Sequence, residues 1–376
     1  MSGLRLLFVF NNPAFFVSHR LPVAAAARRA GFEVHVATPA GVAAGQIVAQ
    51  GFHHHAIPLN RGGMNPAEEL LAAWSIHRLI AALAPDLVEL ATIKPILYGS
   101  FASRLRRDLR VVHWVTGLGH IFSSDTLLAR LVRRIVIVMY RIGMSNPRSL
   151  TIFENAENRA VLVRARVVDE GATRLVPGAG VDMQEFQLQP EQARRSVVML
   201  AARMLWAKGV GEFVSAATEL RAQGVDADFV LVGEPDPGNP ESVAVEQLRA
   251  WEQSGVVQWW GQQSGMPAVL AKCTVFCLPS HAEGVPRVLI EAAAVGRAMV
   301  ATDIAGCRTI VRDGVNGLLV PPRDARALTE AIRSLLASPD LRRRMAIAGR
   351  ELVAEQFSIE TIAAETLAVY SEALRL

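Results

Sequence analysis

Short apolar runs separated by helix-length segments recur along this chain in two series, and that alternation constrains the fold more than any other feature. The first series reads "LRLLFVF", "FEVHVAT", "DLVELA", "LRVVHWVT" and "SLTIF"; the second reads "SVVMLAAR", "ADFVLVGE", "GVVQWWG", "CTVFCLPS", "RAMVATD" and "NGLLVPP". A helix between consecutive strands carries the chain back to the end it started from, so such strands lie parallel in one sheet. Each series therefore predicts an α/β, doubly wound, Rossmann-like domain. Between them, "LVPGAGVDMQEFQLQPEQARR" from Leu175 to Arg195 is rich in Pro, Gly and Gln and carries no strand or helix period, which reads as a linker. We expect a first domain over 1–185, a second over 186–355, and a C-terminal helix over 356–376 that packs back toward the first. A chain of 376 residues is long enough for this arrangement. Ligands of such sheets bind outside the carboxyl ends of the strands, so two domains facing each other would enclose a cleft.

Several function classes recede on composition. Hydrophobic residues at 51% and charged ones at 20% describe a globular chain. The most lipid-like segment, "TLLARLVRRIVIVMYRIGM" from Thr126, is interrupted by Arg130, Arg133, Arg134 and Arg141, so no span is expected to cross a bilayer. The opening "MSGLRLLFVFNNP" reads as a buried first strand rather than a signal peptide. Three cysteines without zinc spacing point to reduced core residues and a cytoplasmic protein. Three consecutive histidines, His53, His54 and His55, alternate in direction on a strand and cannot converge on one ion, so no metal site is expected.

Charge is unevenly distributed. Residues 1–185 carry 20 Lys and Arg against 13 Asp and Glu, whereas the remainder carries 19 against 22. An anionic partner should therefore meet the first domain. No helix-turn-helix, zinc-finger or aromatic RNA-binding signature accompanies the charge, which favours an anionic membrane surface or a lipid phosphate over nucleic acid. The helix near Thr126–Ile142 could lie on such a surface, or its arginines could snorkel from a core helix.

The second domain concentrates the chemistry. "AARMLWAKGVGEF" places Arg203 and Lys208 just beyond a strand, and the chain holds only three lysines among 39 basic residues. Two cations five residues apart on a strand exit can neutralise a diphosphate, although alone they read more simply as a solvated loop. "LVGEP" puts Gly233 at another strand exit, where backbone can approach a ligand. "EGVPRVLIE" supplies Glu283, Gly284, Val285 and Pro286 before a helix whose first residue would be Pro286, with Glu291 about a turn and a half inside it. The two carboxylates should then lie on the order of 10 Å apart, too far to share one glycosidic bond and suited to two parts of one ligand.

Arg-x4-Lys, the glycine exit and Glu-x7-Glu in this order and spacing resemble retaining GT-B glycosyltransferases of family 4 across about Ser196 to Val320. "FFVSHRLPVAAAARRAGFEVHVATP" is similar to the acceptor domain of the same family. The resemblance implies that Arg203 and Lys208 bind the donor diphosphate, that Glu283 lies by the donor sugar, and that Glu291 binds the ribose hydroxyls, with catalysis carried by Glu283, Lys208 and Arg203. "ARMLWAKGVGEF", "FENAEN", "GAGVDMQEF" and "VTGLGHIF" look like the bacterial branch that adds N-acetylhexosamine to polyprenyl-diphosphate-linked sugars. That branch implies a UDP-sugar donor, a lipid-linked acceptor, no cofactor, and a peripheral position at the inner face of the plasma membrane. On the acceptor side, His19, Thr116, Gly117 and His120 are candidates; His113 flanks the same stretch, and a helix-capping role competes for His19. A non-catalytic nucleotide-sugar-binding component and a sugar-nucleotide epimerase remain open as alternatives.

Overall fold

The computed structural model describes residues 3–60, 62–63, 65–104, 106, 108–117, 127–191 and 195–376. The chain divides into two compact units, Met1–Ala179 with Ile359–Leu376, and Gly180–Ser358. In the first unit, β1 (Arg5–Val9), β2 (Glu33–Thr38), β3 (His53–Ala56), β4 (Leu87–Ala91), β5 (Arg110–Val115), β6 (Ser149–Phe153) and β7 (Thr173–Leu175) form one sheet in the order β3-β2-β1-β4-β5-β6-β7. All of its pairings are parallel. Both faces are covered by apolar side chains, which is why β4 and β6 are buried at every position and are mostly apolar.

One residue of β4 breaks that pattern. Glu89 is fully buried, and its carboxylate accepts hydrogen bonds from Arg20 Nε at 2.9 Å, from Arg20 Nη2 at 2.7 Å and from the Tyr370 hydroxyl. The Arg20 guanidinium also lies 3.6 Å over the Trp114 ring. A buried carboxylate is tolerable only when its charge and lone pairs are met, and here they are. Tyr370 belongs to the helix Ile359–Ala373, which also puts Ile362, Val369 and Ala373 into the same core. The C-terminal helix is thus an integral part of the first unit.

In the second unit, β8 (Ser196–Ala201), β9 (Ala227–Val232), β10 (Gln258–Trp259), β11 (Val275–Leu278), β12 (Ala298–Thr302) and β13 (Gly317–Val320) form a parallel sheet in the order β10-β9-β8-β11-β12-β13. Strand order reverses beside β8, and doubly wound sheets bind ligands at that switch point.

The unit boundaries differ from the expected ones. Residues 180–185 belong to the second unit, because Val181 donates to Phe357 O at 2.8 Å and is fully buried in the second core. Phe186 joins the same core, so the stretch from Leu175 to Arg195 is no free linker. Single apolar residues at turn positions anchored it, and such residues leave no period to read. At the other end, Phe357 and Ser358 stay with the second unit, and the returning helix begins at Ile359 rather than 356. The strand β7 ends on Leu175, the first residue of the expected linker; its three residues at the sheet edge are too few to show alternation.

Replacing Glu89 by Ala would leave Arg20 buried without its counter-charge. It should cost about 3–5 kcal/mol, the range for breaking a buried pair from one side, whereas Tyr370→Phe should cost about 1–2 kcal/mol. Urea unfolding of both variants checks the ordering.

Candidate active site

The donor-side residues hang from the carboxyl ends of β8, β9 and β11. β8 ends at Ala201, and Arg203 follows two residues later; its guanidinium pairs with Asp236, which lies beyond the end of β9. Gly233, immediately after β9, has φ of 131° and donates to Gly261 O at 2.8 Å. A Cβ there would stand 1.9 Å from Ala202 O, so only glycine lets the exits of β8 and β9 approach this closely. Trp259 Nε1 donates to Gly233 O at 2.8 Å and fixes the turn from the neighbouring strand.

Lys208 sits at the end of a single helical turn, Trp206–Lys208, closed by Gly209 at φ of 73°. Its Nζ donates to Glu283 Oε1 at 2.5 Å, and Ser280 Oγ donates to the same oxygen at 2.7 Å. Ser280 is itself held by Thr302, whose hydroxyl donates to Ser280 O at 2.5 Å, so β12 supports the loop after β11. Gly306 completes the support: a Cβ on it would lie 2.1 Å from Gly284 O.

The helix after this loop runs Arg287–Ala294, with Pro286 as its N-cap rather than its first residue. Pro286 has ψ of 105°, extended rather than helical, so the helix starts one residue later than the sequence suggests and is only eight residues long. Glu291 is its fifth residue and is buried; Arg287 Nε lies 2.9 Å from its carboxylate oxygen, one turn back. Burial pushes the Glu291 carboxyl above the usual carboxylate range, with Glu185 adding to the shift and Arg287 opposing it.

A cavity of about 420 Å³ opens here, and Arg203, Gly233 and Glu291 all line it. Asp236, Gln262, Gln263 and Val288 also line it. Lys208, Glu283, Gly284, Val285 and Pro286 do not line that cavity. Glu283 and Glu291 accordingly have different partners, Lys208 for one and Arg287 for the other. Asp236 is not among the residues that the sequence singled out. Its signal is spatial only: 33 residues separate it from Arg203.

In the first unit, His19 and Thr116 line one narrow crevice with Phe15, Arg20, Trp114 and Glu154. His19 is the last residue of the helix Pro13–His19, capped at its start by Asn12, so it caps no helix; its ring stacks on Phe15 at 4.1 Å. Gly117 follows Thr116 but does not line the crevice, and His120 lies outside the described residues. His113 is a core residue of β5, bonded to Ser100 at 2.9 Å, and burial pushes its pKa down to about 3. Elsewhere, His53 and His55 flank His35, whose Nδ1 lies 3.0 Å from His55 Nε2, while His54 turns to Thr38. Among the described residues no group of three His, Cys, Asp or Glu is arranged to hold a metal ion.

Residues 5–151 match the family described as "Glycosyl transferase 4-like", and residues 195–338 match "Glycosyl transferases group 1". The chain belongs to these glycosyltransferases. It is 28% identical, over 91% of its length and 92% of the relative's, to the N,N'-diacetylbacillosaminyl-diphospho-undecaprenol alpha-1,3-N-acetylgalactosaminyltransferase of Campylobacter jejuni. Over 47% of its length, and 48% of the relative's, it is 38% identical to the alpha-maltose-1-phosphate synthase of Mycolicibacterium smegmatis. Among solved structures, a glycosyltransferase from Rickettsia africae superposes with a TM-score of 0.79 at 18% identity, covering 100% of both chains. Anabaena HepE, solved with UDP and glucose, gives 0.79 at 18% identity over 98% of this chain and 99% of its own. The fold is GT-B, and the protein is a glycosyltransferase.

The raised carboxyl of Glu291 has a consequence for stability. Above the pKa of an unfolded glutamate, the unfolded chain has released its proton while the folded site still holds it, so this group withdraws stability as pH rises. Glu291→Gln should therefore melt at a higher temperature than the parent at pH 8, with the advantage shrinking toward pH 4; thermal unfolding across pH checks the sign.

Proposed function

We propose that the protein transfers N-acetylhexosamine, with retention, from a UDP-sugar to a polyprenyl-diphosphate-linked sugar. The observation that carries the reading is the single cavity that gathers Arg203, Gly233 and Glu291 at the strand exits of the second unit, with the Lys208–Glu283 pair on the adjoining loop. The transferred sugar and the acceptor class follow the Campylobacter jejuni relative, whose similarity runs through both units.

In this reading the buried Glu291 carboxylate accepts from the ribose hydroxyls, while Glu283 faces the donor sugar. Arg203 and Lys208 leave their carboxylate partners to meet the diphosphate. As the bond from the anomeric carbon to the phosphate oxygen breaks, negative charge grows on the departing diphosphate, and two fixed cations stabilise it. The acceptor hydroxyl bonds to the anomeric carbon on the same face, and its proton passes to the departing phosphate oxygen. No metal ion or cofactor enters these steps. The acceptor sugar belongs near the crevice of His19 and Thr116, and the protein works as a peripheral protein on the inner face of the plasma membrane.

Saturation at ~100 times Kd adds about 2.7 kcal/mol to stability, so UDP-N-acetylhexosamines should raise the melting temperature where GDP- and ADP-sugars do not. Glu291→Gln should weaken that donor about tenfold, the loss of one hydrogen bond to a charged group. No response to any nucleotide sugar would remove the donor assignment. Lys208→Ala should lower kcat at least ~100-fold, as for loss of a group that stabilises developing charge. Turnover, followed by UDP release with a polyprenyl-diphosphate-linked acceptor, should be unchanged by EDTA; unaltered kcat in the lysine variant would exclude its role.

A further inference from the structure

Large apolar side chains stand exposed in a cluster rather than at random. Among the described residues sixteen do so, and eight of them, Leu70, Leu71, Trp74, Phe101, Leu131, Ile135, Val138 and Ile142, fall on three helices. These are Pro66–Leu83, Ile93–Arg104 and Leu127–Gly143, helices of 18, 12 and 17 residues in a chain of 376. The middle helix packs against both others, so the three form one continuous layer on the first sheet. On the third helix the exposed residues recur at intervals of four, three and four, a stripe along one face, while Val136 and Tyr140 face the core.

The charge around this stripe is of one sign. The three helices carry seven Lys and Arg against two acidic residues, Glu68 and Glu69, and Glu69 is taken up by Lys94 at 2.5 Å. Arg130, Arg134 and Arg141 are exposed beside the stripe of the third helix. On the first helix Arg78 lies 4.8 Å over the ring of the exposed Trp74. Two copies of such a face would set arginine against arginine, which disfavours self-association. An anionic bilayer meets both features, with apolar side chains entering the acyl boundary, arginines on the headgroups and Trp74 at the level where indole rings prefer to sit. None of the helices among the described residues is long and apolar enough to cross a membrane, so the layer would lie on the surface.

We propose that the outer faces of these three helices form a single surface that docks on an anionic lipid bilayer. The proposal deepens the functional reading above, since it rests on an acceptor that is lipid-linked. Crossover helices of a parallel sheet start at the carboxyl ends of the strands, so Leu70, Leu71, Trp74 and Leu131, in the first half of their helices, lie toward the end of the sheet that bears Thr116, while Phe101, Val138 and Ile142 continue the surface along the helices.

Flotation with vesicles of phosphatidylcholine, alone or with phosphatidylglycerol, tests this on the whole protein. We expect the protein to float with the anionic vesicles and not with the neutral ones. Ile135→Asp combined with Val138→Asp, Trp74→Ser, and Arg130→Glu combined with Arg134→Glu should each weaken binding about tenfold or more, with circular dichroism unchanged. Brominated acyl chains should quench the parent's tryptophan emission more than that of Trp74→Phe. Equal binding to neutral vesicles, or binding indifferent to all of these variants, would overturn the surface. So would a concentration-dependent dimer in sedimentation that the same variants abolish, which assigns the stripe to a second copy. Melting shifts with UDP-sugars separate the two readings: donor stabilisation without flotation removes only the docking surface, and flotation without donor stabilisation removes only the donor site.

Discussion

Because β8, β9, β11 and β12 run parallel, their carboxyl ends finish along one edge of the second sheet, and the loops that leave them are forced into contact. Arg203, Asp236, Glu283 and the helix bearing Glu291 all emerge from that edge. The closeness depends on atoms that are absent. Gly233 against Ala202 O, Gly209 against Pro279 O and Gly306 against Gly284 O each leave no room for a Cβ. Were any of these filled, a strand exit or the loop beside it would have to shift, and at Gly233 the shift would reach the cavity wall.

The two cations at this edge are neutralised in the protein itself. Lys208 is held by Glu283, and Arg203 by Asp236, pairs that are partly exposed and contribute little to folding. Their value lies in position. Each cation is kept at a strand exit by a carboxylate partner, and Ser280 holds Glu283 as well. The pair in the first unit is built differently. Arg20 and Glu89 are wholly buried and share Tyr370 and Trp114, which makes them a rigid tie between the C-terminal helix and the central strands.

Much of this was legible beforehand, residue by residue. The apolar runs located eleven of the strands, because a strand covered on both faces is apolar throughout and a helix between strands leaves a different period. Arg203, Gly233 and Glu291 could be placed together because strand exits in a doubly wound sheet share an edge. Reading was poorer where structure depends on single side chains. Val181 and Phe186 anchor a stretch that has no periodicity, and Pro286 caps a helix that a proline can equally well begin. His19 could be named from its neighbours but not oriented, since its stacking on Phe15, four residues back, follows from the helix that both belong to.

The sequence by itself determined the two parallel sheets and the side chains that end each strand, because these follow from local period and spacing; its motifs carried the family only as a resemblance. Only the tertiary structure decided which of those side chains meet. Asp236 reaches Arg203 across 33 residues, Glu89 reaches Tyr370 across 281, and the helix Ile93–Arg104 packs against both Pro66–Leu83 and Leu127–Gly143. Such contacts are fixed by packing between distant segments, and packing depends on distances that no local pattern encodes.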